Sequence, residues 1–152
     1  MTMAGHKKPV SVLVLIHDPL AHILLLERAA HPGYWQSVTG SLEDDERPLD
    51  AALREVAEET GIHCTSQQLT DWRLTNRFEI FAEWRDRYPP GVTYNLEHVF
   101  SPCVPSGTPV ATAPAEHRAW RWLPWRDAAA ACFSWSNRDA ILMLGLEIPQ
   151  HP

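Results

Sequence analysis

Two runs of branched apolar residues open the pattern: Val10 to His17 and Ile23 to Glu27, separated by Asp18-Pro19-Leu20-Ala21-His22 with its turn-forming Asp-Pro pair. They read as a pair of strands. Trp35 to Val38 predicts a short third strand, and the stretch from Gly40 to Glu46 is polar and irregular. A helix is expected over about Pro48 to Thr60, because Pro48 suits a first turn, where its missing N–H has no partner, and Gly61 suits the left-handed residue after the last turn. Trp72 to Trp84 and Tyr94 to Val104 read as two longer strands of a hairpin around Asp86-Arg87-Tyr88-Pro89-Pro90-Gly91, which cannot continue a central strand. Pro105 to Ala115 reads as a loop and Arg118 to Leu123 as one more strand. Two helices close the chain, one over about Trp125 to Cys132 and one starting at Ser136, with Asp139 three residues on as a capping box, and ending near Gly145.

A chain of 152 residues has the size of one domain and buries roughly 70% of its unfolded surface. The expectation is a single domain over 1–152 with loose tails at about 1–6 and 148–152. With 45% apolar and 21% charged residues and no long apolar run, the composition predicts a soluble protein with no membrane partner. Lys7 and Lys8 precede only seven apolar residues, and charged residues follow where a cleavage site would stand, so the chain reads as unprocessed and cytoplasmic. Three scattered cysteines, Cys64, Cys103 and Cys132, predict buried thiols in a reducing compartment. The net charge of −6 and the lack of a basic run argue against a nucleic-acid partner, and no obligate protein partner is evident. The same charge would repel a polyphosphate unless a local device, such as a bound divalent cation, reverses it.

Candidate chemistry concentrates in residues 40–62, GSLEDDERPLDAALREVAEETGI, which fit G-x5-E-x7-R-E-U-x-E-E-x-G-U at every specified position, U being apolar. With residue frequencies near 7%, chance agreement is on the order of once in a billion per site. On a helix Glu55, Glu58 and Glu59 fall at i, i+3 and i+4 and stand side by side, while Leu49, Ala52, Leu53 and Val56 form a separate apolar stripe. Adjacent carboxylates repel on a bare helix but suit a hard cation with oxygen ligands. Mg²⁺ fits best, because it takes few carboxylates, keeps waters and completes its shell with phosphates; Mn²⁺ is the substitute. Glu58, Glu59 and Glu116 are all candidates for taking a proton from the attacking water. A solvated helix whose glutamates only pair with arginine is the plain alternative, and the complete pattern outweighs it.

This pattern is the signature of the Nudix hydrolases, which the chain resembles. The resemblance implies an α/β (mixed α+β) chain in the Nudix fold, an α/β/α sandwich whose mixed sheet is covered by the box helix on one side and a later helix on the other. It implies hydrolysis of a phosphoanhydride, with Arg54 pairing with Glu46 to orient the carboxylates. Asp45 departs from the glycine found in many such boxes. Outside the box, KPVS (Lys8 to Ser11), WQSVTGS (Trp35 to Ser41), FEIF (Phe78 to Phe81), YPPGVTYN (Tyr88 to Asn95) and SWSNR (Ser134 to Arg138) are similar to the bacterial dihydroneopterin triphosphate pyrophosphatases, from about Lys7 to Leu142. That narrower resemblance implies a small-molecule pterin triphosphate as substrate and folate synthesis as its setting. It implies substrate contacts at Lys7, Arg28, Thr39, Phe78, Glu79, Ile80, Phe81 and Ser134, and metal or catalytic roles for Glu55, Glu59 and Glu116. Nucleoside triphosphates or dinucleoside polyphosphates are the alternative substrates, and a ligand-binding module without catalysis is the alternative of another class.

Chemistry accords with those positions. Lys7 and Arg28 supply positive charge for a triphosphate, Arg in a bidentate manner. Phe78 and Phe81 offer apolar surface to a planar ring, and Ser134 a hydroxyl to its polar edge. Most of the seven tryptophans and all eight histidines read as packing or surface residues, since no H-E-x-x-H or other close zinc spacing occurs.

Overall fold

A computed structural model of the protein describes residues 5–148, so most of the tails expected at 1–6 and 148–152 lie outside the described residues. Seven strands and three α-helices follow in the order β1 (Val10–Val14), β2 (His22–Arg28), β3 (Trp35–Gln36), β4 (Val38–Ser41), α1 (Pro48–Thr60), β5 (Leu69–Glu79), β6 (Tyr94–Pro102), β7 (His117–Pro124), α2 (Trp125–Ala131) and α3 (Trp135–Glu147). The strands form two sheets, ordered β4-β1-β6-β5 and β3-β2-β7. In the first, β1 runs parallel to β6 and antiparallel to β4, so that sheet is mixed; the second is antiparallel throughout.

The two opening apolar runs do not pair along their length, contrary to the expectation from their spacing. Both edges of β1 are taken by β4 and β6, and only the end of the run touches β2, through Leu24 N–H to the Ile16 carbonyl at 2.9 Å. Asp18 holds the intervening turn, its Oδ1 accepting from the Leu20 and His22 amides at 2.9 Å each. Both runs are apolar at nearly every position because both faces are covered, as in buried strands generally. Val12, Val14, Ile16, Leu24 and Leu26 pack with Val56 of α1 in one core, while Leu13, Leu15, Ile23 and Leu25 pack with Ile141 and Leu144 of α3 in the other. Each such side chain contributes about 2 kcal/mol on burial.

α1 has the predicted limits. Pro48 stands at its start, and Gly61 ends it at φ 73° with its N–H on the Ala57 carbonyl. Two later boundaries differ from the sequence expectation. β5 stops at Glu79, and Ala82–Arg87 forms a 3₁₀ helix where the strand had been expected to reach Trp84. The ring of Trp84 there packs on Phe81, with centroids 5.0 Å apart, a contact an alternating pattern cannot reveal. α3 begins at Trp135 with Ser134 as its cap, Oγ accepting from the Asn137 amide at 3.4 Å. Ser136, the expected cap, is buried inside the first turn instead.

α3 also runs through Gly145 rather than ending there, because that glycine makes room for a neighbour: a Cβ would press into the indole ring of Trp125 on α2. Gly145→Ala is therefore expected to lose stability. Overpacking costs about 1–3 kcal/mol against a helix-propensity gain of about 1 kcal/mol, and urea denaturation measures the balance. The cysteines are free, with Cys103 exposed and Cys64 and Cys132 half-buried, so the expected burial of all three thiols does not hold: Cys64 and Cys132 pack only against the margins of cores already filled by aliphatic side chains. Among the described residues no helix is long and apolar enough to cross a membrane.

Candidate active site

Residues from both sheets, α1 and α3 line a cavity of about 870 Å³. Its charged end is built on α1. Arg54 lies at the centre of an ion-pair cluster, with Nε and Nη2 donating to the two carboxylate oxygens of Glu46 at 2.8 Å each. Its Nη1 donates to Glu55 at 2.8 Å and Glu58 at 3.2 Å, and Nη2 reaches the Ser41 carbonyl at 3.2 Å. The planar fork thus ties the polar loop to the helix and holds two of the three box glutamates. Arg54 bonding holds the Glu46 carboxyl below its ordinary range, and Glu46 in turn raises the proton affinity of Arg54.

Glu59 lies deeper than its neighbours, 2% exposed, whereas Glu58 is turned outward against Arg54 with its side chain more than half exposed. Neither carboxylate oxygen of Glu59 forms a hydrogen bond of good geometry, although the Thr39 backbone and the Glu55 carboxyl lie beside it. Burial pushes its pKa well above the ordinary carboxyl value; Glu55 and the charge of Glu116 add to this, and the Thr39 backbone opposes it. His117 Nε2 approaches at 3.5 Å, but burial lowers the proton affinity of that imidazole, so it brings little positive charge. A buried carboxylate without a well-formed hydrogen bond, facing two further carboxylates, fits a hard divalent cation. Glu55, Glu59 and Glu116 are the oxygen donors that would hold it. Among the described residues no three His, Cys, Asp or Glu side chains are grouped closely enough to hold a metal ion as they stand.

Gly40 on β4 explains how Glu55 reaches this position: a Cβ there would overlap the Glu55 carboxylate. Gly40→Ala is expected to displace that flexible side-chain end rather than the backbone. The outcome is a loss of turnover of about tenfold or more with a nearly unchanged melting temperature, since a misplaced catalytic group costs rate steeply; equal loss of both would show that the strand itself had moved.

Opposite the carboxylates stands a cationic wall. Lys7 and Arg28 line the cavity there, joined by Arg87 from the 3₁₀ helix. The Lys7 amide donates to the Arg87 carbonyl at 2.7 Å, which draws the segment before β1 against that helix. Burial lowers the proton affinity of Lys7, and the like charges of Arg87 and Arg28 lower it further. Trp84 is held beside this wall, with the guanidinium carbons of Arg28 and Arg87 at 4.8 and 5.7 Å from its ring centroid. A concentrated positive surface therefore exists inside a chain of net charge −6.

Aromatic rings line the cavity beyond it. Phe81 is about half exposed, with Phe133 6.4 Å from it and Tyr34 stacked on Phe133 at 4.7 Å. Phe78, Glu79 and Ile80 line the cavity too, though Glu79 is paired with Arg85 at 2.9 Å and Ile80 is buried. Thr39 contributes from β4 with its hydroxyl spent on the Val12 carbonyl at 2.9 Å. Ser134 lines the cavity with its hydroxyl engaged as the α3 cap. Sequence reasoning missed Trp84, Arg87 and Phe133. The signal for the first two was the aromatic and basic content of EWRDR before the Pro-Pro turn, where a strand end at Trp84 and a turn at Arg87 gave no direction for their side chains.

A cavity pairing the box carboxylates with a cationic wall, between two sheets flanked by helices, defines a Nudix domain: that family matches residues 7–144, and the chain belongs to it. Dihydroneopterin triphosphate diphosphatase of Escherichia coli K12 is 45% identical over 139 residues, 90% of this chain and 91% of the relative. The protein of the same name from Haemophilus influenzae is 36% identical over 143 residues, 91% of this chain and 89% of the relative. The solved structure of the E. coli dihydroneopterin triphosphate pyrophosphohydrolase superposes with a TM-score of 0.85 at 44% identity, covering 93% of this chain and 97% of that one. An Ap4A hydrolase from C. elegans, at 20% identity and a TM-score of 0.69 over 90% of this chain and 95% of its own, shares the fold alone.

Proposed function

We infer that this chain is a dihydroneopterin triphosphate diphosphatase, hydrolysing 7,8-dihydroneopterin triphosphate to the monophosphate and pyrophosphate. The observation that carries the reading is one cavity with two unlike ends: carboxylates facing three cations at one, aromatic rings and buried polar groups at the other. The likeness to the E. coli and H. influenzae proteins over nine-tenths of the chain supports the choice of organic group.

Lys7, Arg28 and Arg87 grip phosphate oxygens and offset the charge of the chain. Arg54 fixes Glu55, leaving Glu55, Glu59 and Glu116 to hold Mg²⁺, or Mn²⁺ in its place. When bound, the ion supplies positive charge that neutralises phosphate oxygens and the departing pyrophosphate. Water adds to a phosphorus of the anhydride, the phosphoanhydride P–O bond breaks to give the monophosphate and pyrophosphate, and the proton lost by the water goes to a carboxylate. Glu58, bonded to Arg54 but lining the same cavity, stands with Glu59 and Glu116 as a candidate for taking that proton.

Hydrolysis of dihydroneopterin triphosphate and of the common nucleoside triphosphates, compared with Mg²⁺ present, tests the reading. A preference for the pterin substrate is expected. A nucleotide preferred by about tenfold, a gap of about 1.4 kcal/mol, would reject the assignment, and absence of any phosphate product would leave a binding module.

A further inference from the structure

The ring-binding end of the cavity contains two buried polar side chains that the hydrolysis itself does not use. Asn95, Glu97 and Val99 alternate onto one face of β6, and Val99 packs into the core beside α3. Asn95 and Glu97, by contrast, line the cavity while only 2% and 4% exposed. Burying an amide and a carboxyl at such positions costs free energy that a Val or Leu would not.

Their hydrogen bonds do not balance. Asn95 Nδ2 donates to Ser11 Oγ at 2.8 Å, but its Oδ1 is buried and has no partner. Glu97 Oε1 accepts from Asn76 Nδ2 at 3.3 Å, and the Ser136 hydroxyl also donates to the carboxyl, which leaves lone pairs over on two oxygens. Asn137 on the same wall cannot help. Its Oδ1 accepts from the Ser37 amide at 2.8 Å and its Nδ2 donates to Ser37 Oγ at 3.0 Å, so both ends of the amide are turned to Ser37. Asn95 Oδ1 and the Glu97 carboxyl therefore have acceptor capacity to spare.

We propose that Asn95 and Glu97 are specificity-determining residues that read the donor edge of a 2-amino-4-oxo heterocycle, accepting from its exocyclic amine and the neighbouring ring N–H. The assignment rests on the reading of the cavity as a triphosphate hydrolase site. Pterins and guanine share this edge, with two adjacent N–H donors. Adenine presents its amine beside ring acceptors, which would face the carboxylate unfavourably. Inosine has the ring N–H but lacks the amine. A site built of acceptors discriminates because the wrong ligand leaves them buried and unpaired.

The test is kcat/KM for dihydroneopterin triphosphate, GTP and ITP, with inhibition constants where a nucleotide is not turned over, for the unaltered protein and for Glu97→Gln and Asn95→Leu. GTP and ITP differ only in the exocyclic amine. The unaltered protein is expected to favour GTP by about tenfold or more. Each variant should shrink that ratio toward one and lower kcat/KM for the pterin substrate by about tenfold or more, chiefly through KM. Equal handling of GTP and ITP by the unaltered protein, which needs no variant to fold, would overturn the inference. So would variants with normal melting temperatures that lose activity equally on all three substrates. If the unaltered protein prefers nucleotides to the pterin, the substrate assignment fails, while the GTP to ITP ratio still decides the role of the two residues.

Discussion

Glu59→Gln is expected to lower kcat by about 100-fold or more while the metal-free protein melts at a higher temperature than the unaltered one. The two effects have one cause. In the folded chain the Glu59 carboxyl is buried without a well-formed hydrogen bond and beside Glu55 and Glu116, so its charge opposes folding until a cation arrives. The amide removes that repulsion and with it a charge at the metal. Losses of about 3 kcal/mol or more in transition-state stabilisation are usual when an electrostatic or metal contact is removed. Calorimetric melting with and without Mg²⁺ separates the effects. The ion should raise the melting temperature of the unaltered protein, by the linkage that favours any state a ligand binds, and have much less effect on the variant. Near-normal turnover, or an equal thermal response in both proteins, would remove Glu59 from the metal site.

Arg54→Ala should come next in size, with turnover falling by about 100-fold and stability by about 2 kcal/mol. The guanidinium is the donor to Glu46, Glu55, Glu58 and the Ser41 carbonyl at once, and without it these acceptors face one another across the junction of loop and helix. Arg54→Lys is expected to recover little, because a single ammonium cannot replace a fork whose Nε and Nη2 grip Glu46 while Nη1 holds Glu55. Full activity in the lysine variant would show that charge alone, without the fork, positions the carboxylates. Denaturant midpoints and steady-state rates measured on the same samples check both variants.

Much of the charged end was legible in the chain. The spacing of Glu55, Glu58 and Glu59 and the Pro48 and Gly61 boundaries depend only on helix geometry within one segment. The contact of Arg54 with Glu46 spans eight residues and a single loop. The apolar runs Val10 to His17 and Ile23 to Glu27 likewise announced strands. Their partners were not legible, because an apolar strand buried on both sides carries no mark of which edge meets which neighbour, and β1 chose β4 and β6 over β2. Trp84 remained hidden since a 3₁₀ helix and a strand end can share the same aromatic alternation, and Arg87 since a residue read as part of a turn carries no mark of what it faces. Asn95 and Glu97 stood in a polar-apolar alternation that reads equally well with the polar side chains in solvent.

The amino-acid sequence by itself determined the carboxylate helix, the loop that pairs with it, the apolar runs of both cores and the resemblance to one hydrolase family, all of which follow from residue type and local spacing. Only the tertiary structure decided which face of β6 turned inward, how deep Glu59 lay beside the more exposed Glu58, and which cations met across the cavity. Those properties depend on burial and on the approach of segments far apart in the chain: Lys7 against Arg87, Asn137 against Ser37, Ser11 against Asn95. Burial and long-range approach set the strength of every charge and the saturation of every hydrogen bond in the site.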